Sequence, residues 1–119
     1  VIELFKALSD QTRLRILAAL WDHAWCVCEL EKGLDLTQSN TSRHLAVLRA
    51  AGFLNTERYA QWIYYRLNPE FREEHGALYD YLSERLKSMP SYKDDIARVR
   101  QCRDEGMCNL PPSAQKEET

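Results

Sequence analysis

A mostly helical fold carrying one small β-hairpin (an α+β arrangement) is what this sequence predicts, and three observations predict it. Apolar residues recur at helical spacing through residues 1–51, the period changes to alternation between residues 53 and 67, and helical spacing returns from residue 71. The 119 residues, 45% apolar and 29% charged, suit one small domain with a modest core, which pairing with a second copy would help to stabilise. No apolar run approaches the ~20 residues of a membrane-spanning helix. A soluble protein without a membrane partner is expected.

Taken in order, "VIELFKAL" places Val1, Leu4, Phe5 and Leu8 on one helical face. Ser9 and Asp10 then offer a cap for a second helix, "QTRLRILAALW", which turns Leu14, Leu17, Leu20 and Trp21 inward. "CVCELEKGL" predicts a third short helix that stops at Gly33. After a turn at Asp35 and Leu36, Thr37 caps a helix through Ala51 with Leu45 and Leu48 inside, and Gly52 ends it. "FLNTERY" and "WIYYRL" are strands, and Ala60-Gln61 between them lacks the glycine favoured in two-residue turns, so a longer tip is expected. A long helix from Phe71 to Ser88 carries a Leu78, Leu82, Leu86 stripe, and "SYKDDIARVRQC" predicts a last helix capped by Ser91. Beyond Arg103 the chain turns polar and proline-bearing, and a mobile tail is expected.

Net charge is −2, yet residues 37–67 hold four arginines against one glutamate. A local positive face matters more to a phosphate backbone than the average charge, because salt screens the interaction within roughly 8–10 Å. A helix, a short turn, a second helix with a polar start and then a hairpin make the winged form of helix-turn-helix. On that frame Gln38, Ser39, Asn40, Ser42 and Arg43 are candidates to reach base edges, with His44 a phosphate or packing partner. Arg49, Arg58 and Gln61 are candidates for phosphates or the minor groove. A homodimer is expected, because two copies read a palindrome with twice the contacts; the leucine-striped helix and the first helix are its expected surface.

The four cysteines are Cys26, Cys28, Cys102 and Cys108. No basic leader followed by an apolar stretch opens the chain, so a reducing cytoplasm is expected, where cysteines point to metal binding, catalysis or redox sensing. Residues i and i+2 diverge on a regular helix, so Cys26 and Cys28 can share a metal only where the chain begins the helix. That location is also expected to lower a thiol pKa. Packing as small buried hydrophobes is the bland alternative. No phosphate loop, nucleophile motif or histidine cluster is present, so neither an enzyme nor an organic cofactor is expected.

"FKALSDQTRLRIL", "TQSNTSRHLAVLRAAGFL" and "ERYAQWIYYRL", in that order, resemble the ArsR/SmtB family of metal-responsive bacterial repressors from about Phe5 to Leu67. The resemblance implies a dimer that binds double-stranded operator DNA and leaves it when thiolates capture an inducer. In the arsenic- and cadmium-type sensors the start of the third helix carries a cysteine cluster, which "CVCEL" resembles. A third arsenic-type cysteine would fall at Glu31, so Cys102 or Cys108 is expected to fold back, within one chain or across the dimer. Three thiolates suit As(III) or Sb(III) as inducer; four suit Cd, Pb or Zn. A thiol-disulfide switch is the remaining alternative. Asn40-Thr41 and Ala60-Gln61 depart from the family's usual small or apolar pair and wing-tip glycine. Residues 1–89 are expected to form the DNA-binding and dimerisation domain, and residues 90–119 a C-terminal extension.

Overall fold

The computed structural model describes residues 1–106, which form seven helices and three strands. Cys108 and the proline-bearing tail lie outside the described residues. α1 (Ile2–Ala7) is short, and α2 (Gln11–Leu20) begins where the Asp10 carboxylate accepts the Arg13 N–H at 3.0 Å. Ile16, Leu17 and Leu20 make α2 the axis of the core, with α4 (Gln38–Ala50), α6 (Gly76–Lys87) and α7 (Tyr92–Asp104) packed around it. α3 (Val27–Gly33) precedes α4, whose cap Thr37 accepts the Asn40 N–H at 3.2 Å. Leu45 and Leu48 point inward, as their spacing predicts, and Gly52 ends the segment at φ +92°.

The hairpin is β2 (Leu54–Tyr59) and β3 (Trp62–Leu67), in register from Leu54 opposite Leu67 to Tyr59 opposite Trp62. Its tip is two residues and not longer: Ala60 takes the left-handed conformation, φ 55°, that a glycine usually supplies. A further strand, β1 (Trp25–Cys26), pairs antiparallel with β3, setting Trp25 opposite Tyr65 and Cys26 opposite Tyr64. Cys26, predicted to begin a helix, therefore ends the third strand of the wing sheet and caps α3, because the outer edge of β3 offers backbone partners that local periodicity does not reveal.

The single long helix predicted from Phe71 to Ser88 breaks at His75 into α5 (Pro69–Glu74) and α6. Leu82 and Leu86 are buried within the chain, so this stripe builds the core and not a free partner surface. Among the described residues the large apolar side chains left exposed are Val1, Ile2 and Phe5 on the first segment, Tyr59 on the wing and Tyr81 on α6. Leu4 and Leu8 turn toward the core while Val1 and Phe5 turn away, which splits the face predicted for the first helix.

α7 belongs to the same core. Val99 is fully buried, and a Cβ on Gly33 would lie 2.5 Å from its Cγ2 and 2.7 Å from its Cα, so only glycine allows α3 and α7 to approach this closely. One turn before Val99, the buried Asp95 carboxylate accepts from Arg15 Nε at 3.0 Å and from Arg98 at 2.6 Å. One turn after it, Arg103 reaches Glu29 on α3. A boundary at residue 89 thus separates α7 in sequence but not in packing.

Candidate nucleic-acid interface and cysteine groove

The first turns of α4 present Gln38, Ser39, Asn40, Ser42 and Arg43 to solvent. Arg43 donates to Asn40 Oδ1 at 3.0 Å, which steadies a long side chain that points away from the core. Thr41 is fully buried and its hydroxyl donates to the Thr37 carbonyl at 2.8 Å. Asn40 and Thr41 therefore face opposite ways. Arg49 near the end of α4, Arg58 on β2 and Gln61 at the wing tip are exposed.

His44 is buried, and its Nδ1 lies 3.1 Å from an Arg13 guanidinium nitrogen. Arg13 also donates to the carbonyls of Ala7 at 2.8 Å and Lys6 at 3.0 Å, tying α1, α2 and α4 together. Burial pushes the His44 pKa down, because it disfavours the charged ring. Of the two roles the sequence left open for His44, this geometry suits packing.

Cys26 is the N-cap of α3, with extended backbone at φ −73° and ψ 150°, and Cys28 sits in the first turn. That change of backbone between them brings the two sulfurs to 3.0 Å, where a regular helix would spread them. The Cys26 Sγ accepts the Glu29 N–H, and a Glu29 carboxylate oxygen accepts the Cys26 N–H at 2.8 Å, a capping box with sulfur in place of the usual hydroxyl. One tetrahedral ion at ~2.3 Å from each sulfur would hold them about 3.8 Å apart. The pair thus suits two donors of one soft ion after a small opening.

The expected lowering of thiol pKa does not hold for Cys26. Burial pushes this thiol up, outweighing the N–H donors of Cys28 and Glu29, and the Glu29 charge adds to the rise. Burial likewise pushes Cys102 up. Cys102 lies on α7 beside a separate hollow of about 170 Å³ lined by Lys32, Gly33 and Gln101. Among the described residues no three His, Cys, Asp or Glu side chains are grouped to hold one metal ion, and Cys108 lies outside them.

Cys26 and Cys28 open into a groove of about 320 Å³ whose other walls are Gln38 and Ser42 from α4 and Gln61, Trp62, Ile63 and Tyr65 from the wing. Glu31, at the position of the third arsenic-type cysteine, lines the same groove, and burial pushes its carboxyl pKa up. Sequence reasoning did not single out Glu29 or Arg103. The Cys-x-x-Glu spacing carried a signal for Glu29, because it is the spacing of a capping box.

A two-helix unit with a polar, exposed first turn on its second helix, flanked by a paired wing, defines a winged helix-turn-helix regulator. The family described as "Bacterial regulatory protein, arsR family" matches residues 10–56. The chain is 52% identical over 67 residues to the arsenic resistance transcriptional regulator ArsR1 of Pseudomonas putida, covering 56% of this chain and 52% of that one. It is 46% identical over 69 residues to the arsenical resistance operon repressor of Escherichia coli, covering 57% and 59%. The solved structure of reduced HlyU from Vibrio cholerae superposes with a TM-score of 0.61 at 39% identity, covering 74% of this chain and 88% of that one. The chain belongs to the arsR family, whose members are transcriptional regulators and not enzymes. It spans little more than half the length of the two curated relatives. No helix among the described residues is long and apolar enough to cross a membrane.

Proposed function

We propose that the protein is a DNA-binding repressor released from its operator when Cys26 and Cys28 capture trivalent arsenic or antimony. The observation that carries this is the shared groove: the sulfurs and the side chains of Gln38, Ser42 and Gln61 line one hollow. The arsenic-resistance relatives support the choice of metalloid.

In this account α4 enters the major groove, and Gln38, Ser39, Asn40, Ser42 and Arg43 meet base edges. Arg49, Arg58 and Gln61 hold phosphates or the minor groove and set the salt dependence. Two copies pair through apolar surface that includes Val1, Ile2, Phe5 and Tyr81, exposed in the single chain, and read a two-fold operator.

Arsenite exchanges its hydroxyls for thiols: each As–S bond formed releases one water, and arsenic stays trivalent. Seating the ion between sulfurs 3.0 Å apart pushes β1 and the start of α3 apart, and β1 is paired to the wing through Cys26 and Tyr64. A coupling of ~1–3 kcal/mol is enough to weaken DNA binding about 5–150-fold. Because Cys102 stands at a separate hollow, a third donor falls to Cys108; recruiting Cys102 as well, by rearrangement or across the dimer, would favour Cd, Pb or Zn. Replacing Cys26 and Cys28 by serine tests the account: operator binding persists and arsenite no longer releases DNA. Loss of operator binding in the folded variant would assign the cysteines a structural role instead.

A second reading is a redox switch in which two of the four cysteine thiols give two electrons and two protons to an oxidant and close a disulfide. Release of DNA by an oxidant, with no response to arsenite, would replace the first reading with this one.

A further inference from the structure

The buried network behind the cysteine pair has no part in a two-sulfur site as such. Arg103 of α7 donates from Nε to Glu29 Oε2 at 3.0 Å and from a terminal nitrogen to Glu29 Oε1 at 3.0 Å. It donates also to the Ala24 carbonyl at 2.8 Å, and its guanidinium lies 4.2 Å from the centre of the Trp25 ring. The Arg103 side chain is 6% exposed and that of Glu29 is 0% exposed. The same Oε1 that Arg103 holds accepts the Cys26 N–H, so one carboxylate joins α7 to the first residue of the sulfur pair. Trp25 and Ala24, also held by Arg103, immediately precede Cys26. Three consecutive residues, Ala24 by its carbonyl, Trp25 by its ring and Cys26 by its N–H through Glu29, are therefore held by a single side chain that lies 74 residues from Glu29 along the chain.

A buried ion pair is a poor source of stability, since desolvation of both charges offsets most of their attraction, while its fork geometry fixes orientation sharply. The family match ends at residue 56, far short of α7. Resting on the proposed function, we infer that Arg103 is a positioning residue for the thiol site. Through Glu29 it fixes where Cys26 points, so the docking of α7 on α3 sets how readily the sulfur pair takes an inducer.

The test uses the full, reduced chain with the variants Arg103→Lys, which keeps the charge but not the fork, and Glu29→Gln, which keeps the shape but not the charge. Circular dichroism melts confirm folding, fluorescence anisotropy gives affinity for operator DNA, and arsenite is then titrated. The expected result is operator affinity within about threefold of the parent with at least tenfold more arsenite needed for release, a loss of ~1.4 kcal/mol or more. An arsenite requirement within twofold of the parent in a folded variant overturns the inference, as does a fall in operator affinity with the arsenite requirement unchanged.

A second readout needs no inducer: the rate at which iodoacetamide alkylates Cys26, followed by peptide mass, is expected to change at least threefold in either variant. A parent protein that keeps its DNA in saturating arsenite defeats the proposed function, and the alkylation rates then decide the positioning role alone. Should neither variant fold, hydrogen exchange on the parent decides: arsenite changes protection at residues 99–104 as well as 25–31, and an α7 indifferent to arsenite overturns the inference.

Discussion

The two flanks of α3 differ in kind. One opens into the groove, where Cys28 and Glu31 stand half-buried beside exposed polar side chains of α4 and the wing tip. The other is closed against α7, with Gly33 under Val99 and Glu29 locked to Arg103 without access to solvent. The open flank leaves room for a ligand and for DNA, and the closed flank leaves none for error. A helix of seven residues is too short to hold its own shape in water, so the closed flank has to supply the rigidity that the open one uses.

Breaking the open flank should produce the largest effect. Arg43→Glu reverses a charge on the presented face of α4, and a loss of operator affinity of about 100-fold or more is expected by anisotropy, from one lost contact and one new repulsion. Binding within a few-fold of the parent would remove Arg43 from the interface. On the closed flank, Gly33→Ala forces a methyl into the backbone of Val99, at an expected cost of about 1–3 kcal/mol, seen as a melting temperature lower by roughly 4–15 °C. An unchanged melting temperature would mean that α7 sits more loosely than its geometry implies.

A smaller effect sharpens the contrast through pH. His44, on the inner face of α4, has a pKa depressed by burial below its ordinary value of 6.5. A group whose folded pKa is depressed contributes stability that is present above the unfolded value and is lost as pH falls through the folded one. Thermal stability should therefore fall from about pH 7 to pH 5, and the difference between the parent and His44→Gln should shrink over that window. A difference independent of pH would exclude His44 as the titrating group. The smallest effect belongs to the wing tip. Ala60→Gly relieves the left-handed residue at the cost of extra chain entropy, for a net gain of up to about 1 kcal/mol in urea unfolding.

What the sequence disclosed divides along the same line. The helix-turn-helix, the exposed start of α4 and the hairpin rest on caps and periods contained in ten or so residues, and "WCVCEL" announces its two sulfurs by proximity alone. The closed flank rests on pairs such as Arg15 with Asp95 and Glu29 with Arg103, 80 and 74 residues apart, which no local pattern encodes. The same blindness explains β1, whose strand character comes from the edge of β3, and the raised Cys26 pKa, which comes from burial by distant segments. The leucine stripe, expected at the partner surface, lies largely in the core for a related reason: periodicity identifies an apolar face but not what covers it. Leu82 and Leu86 turn out to cover α2, and Val1, Ile2 and Phe5 are the ones left bare.

The central claim is that thiols and DNA-reading side chains act through one groove, and reciprocity gives its most direct test. If an inducer weakens DNA binding, DNA must weaken inducer binding by the same factor. Measuring arsenite affinity of the reduced protein by calorimetry, alone and saturated with operator DNA, should show binding about 5–150-fold weaker in the complex. Equal affinities in the two states would contradict the account, whatever the cysteines bind.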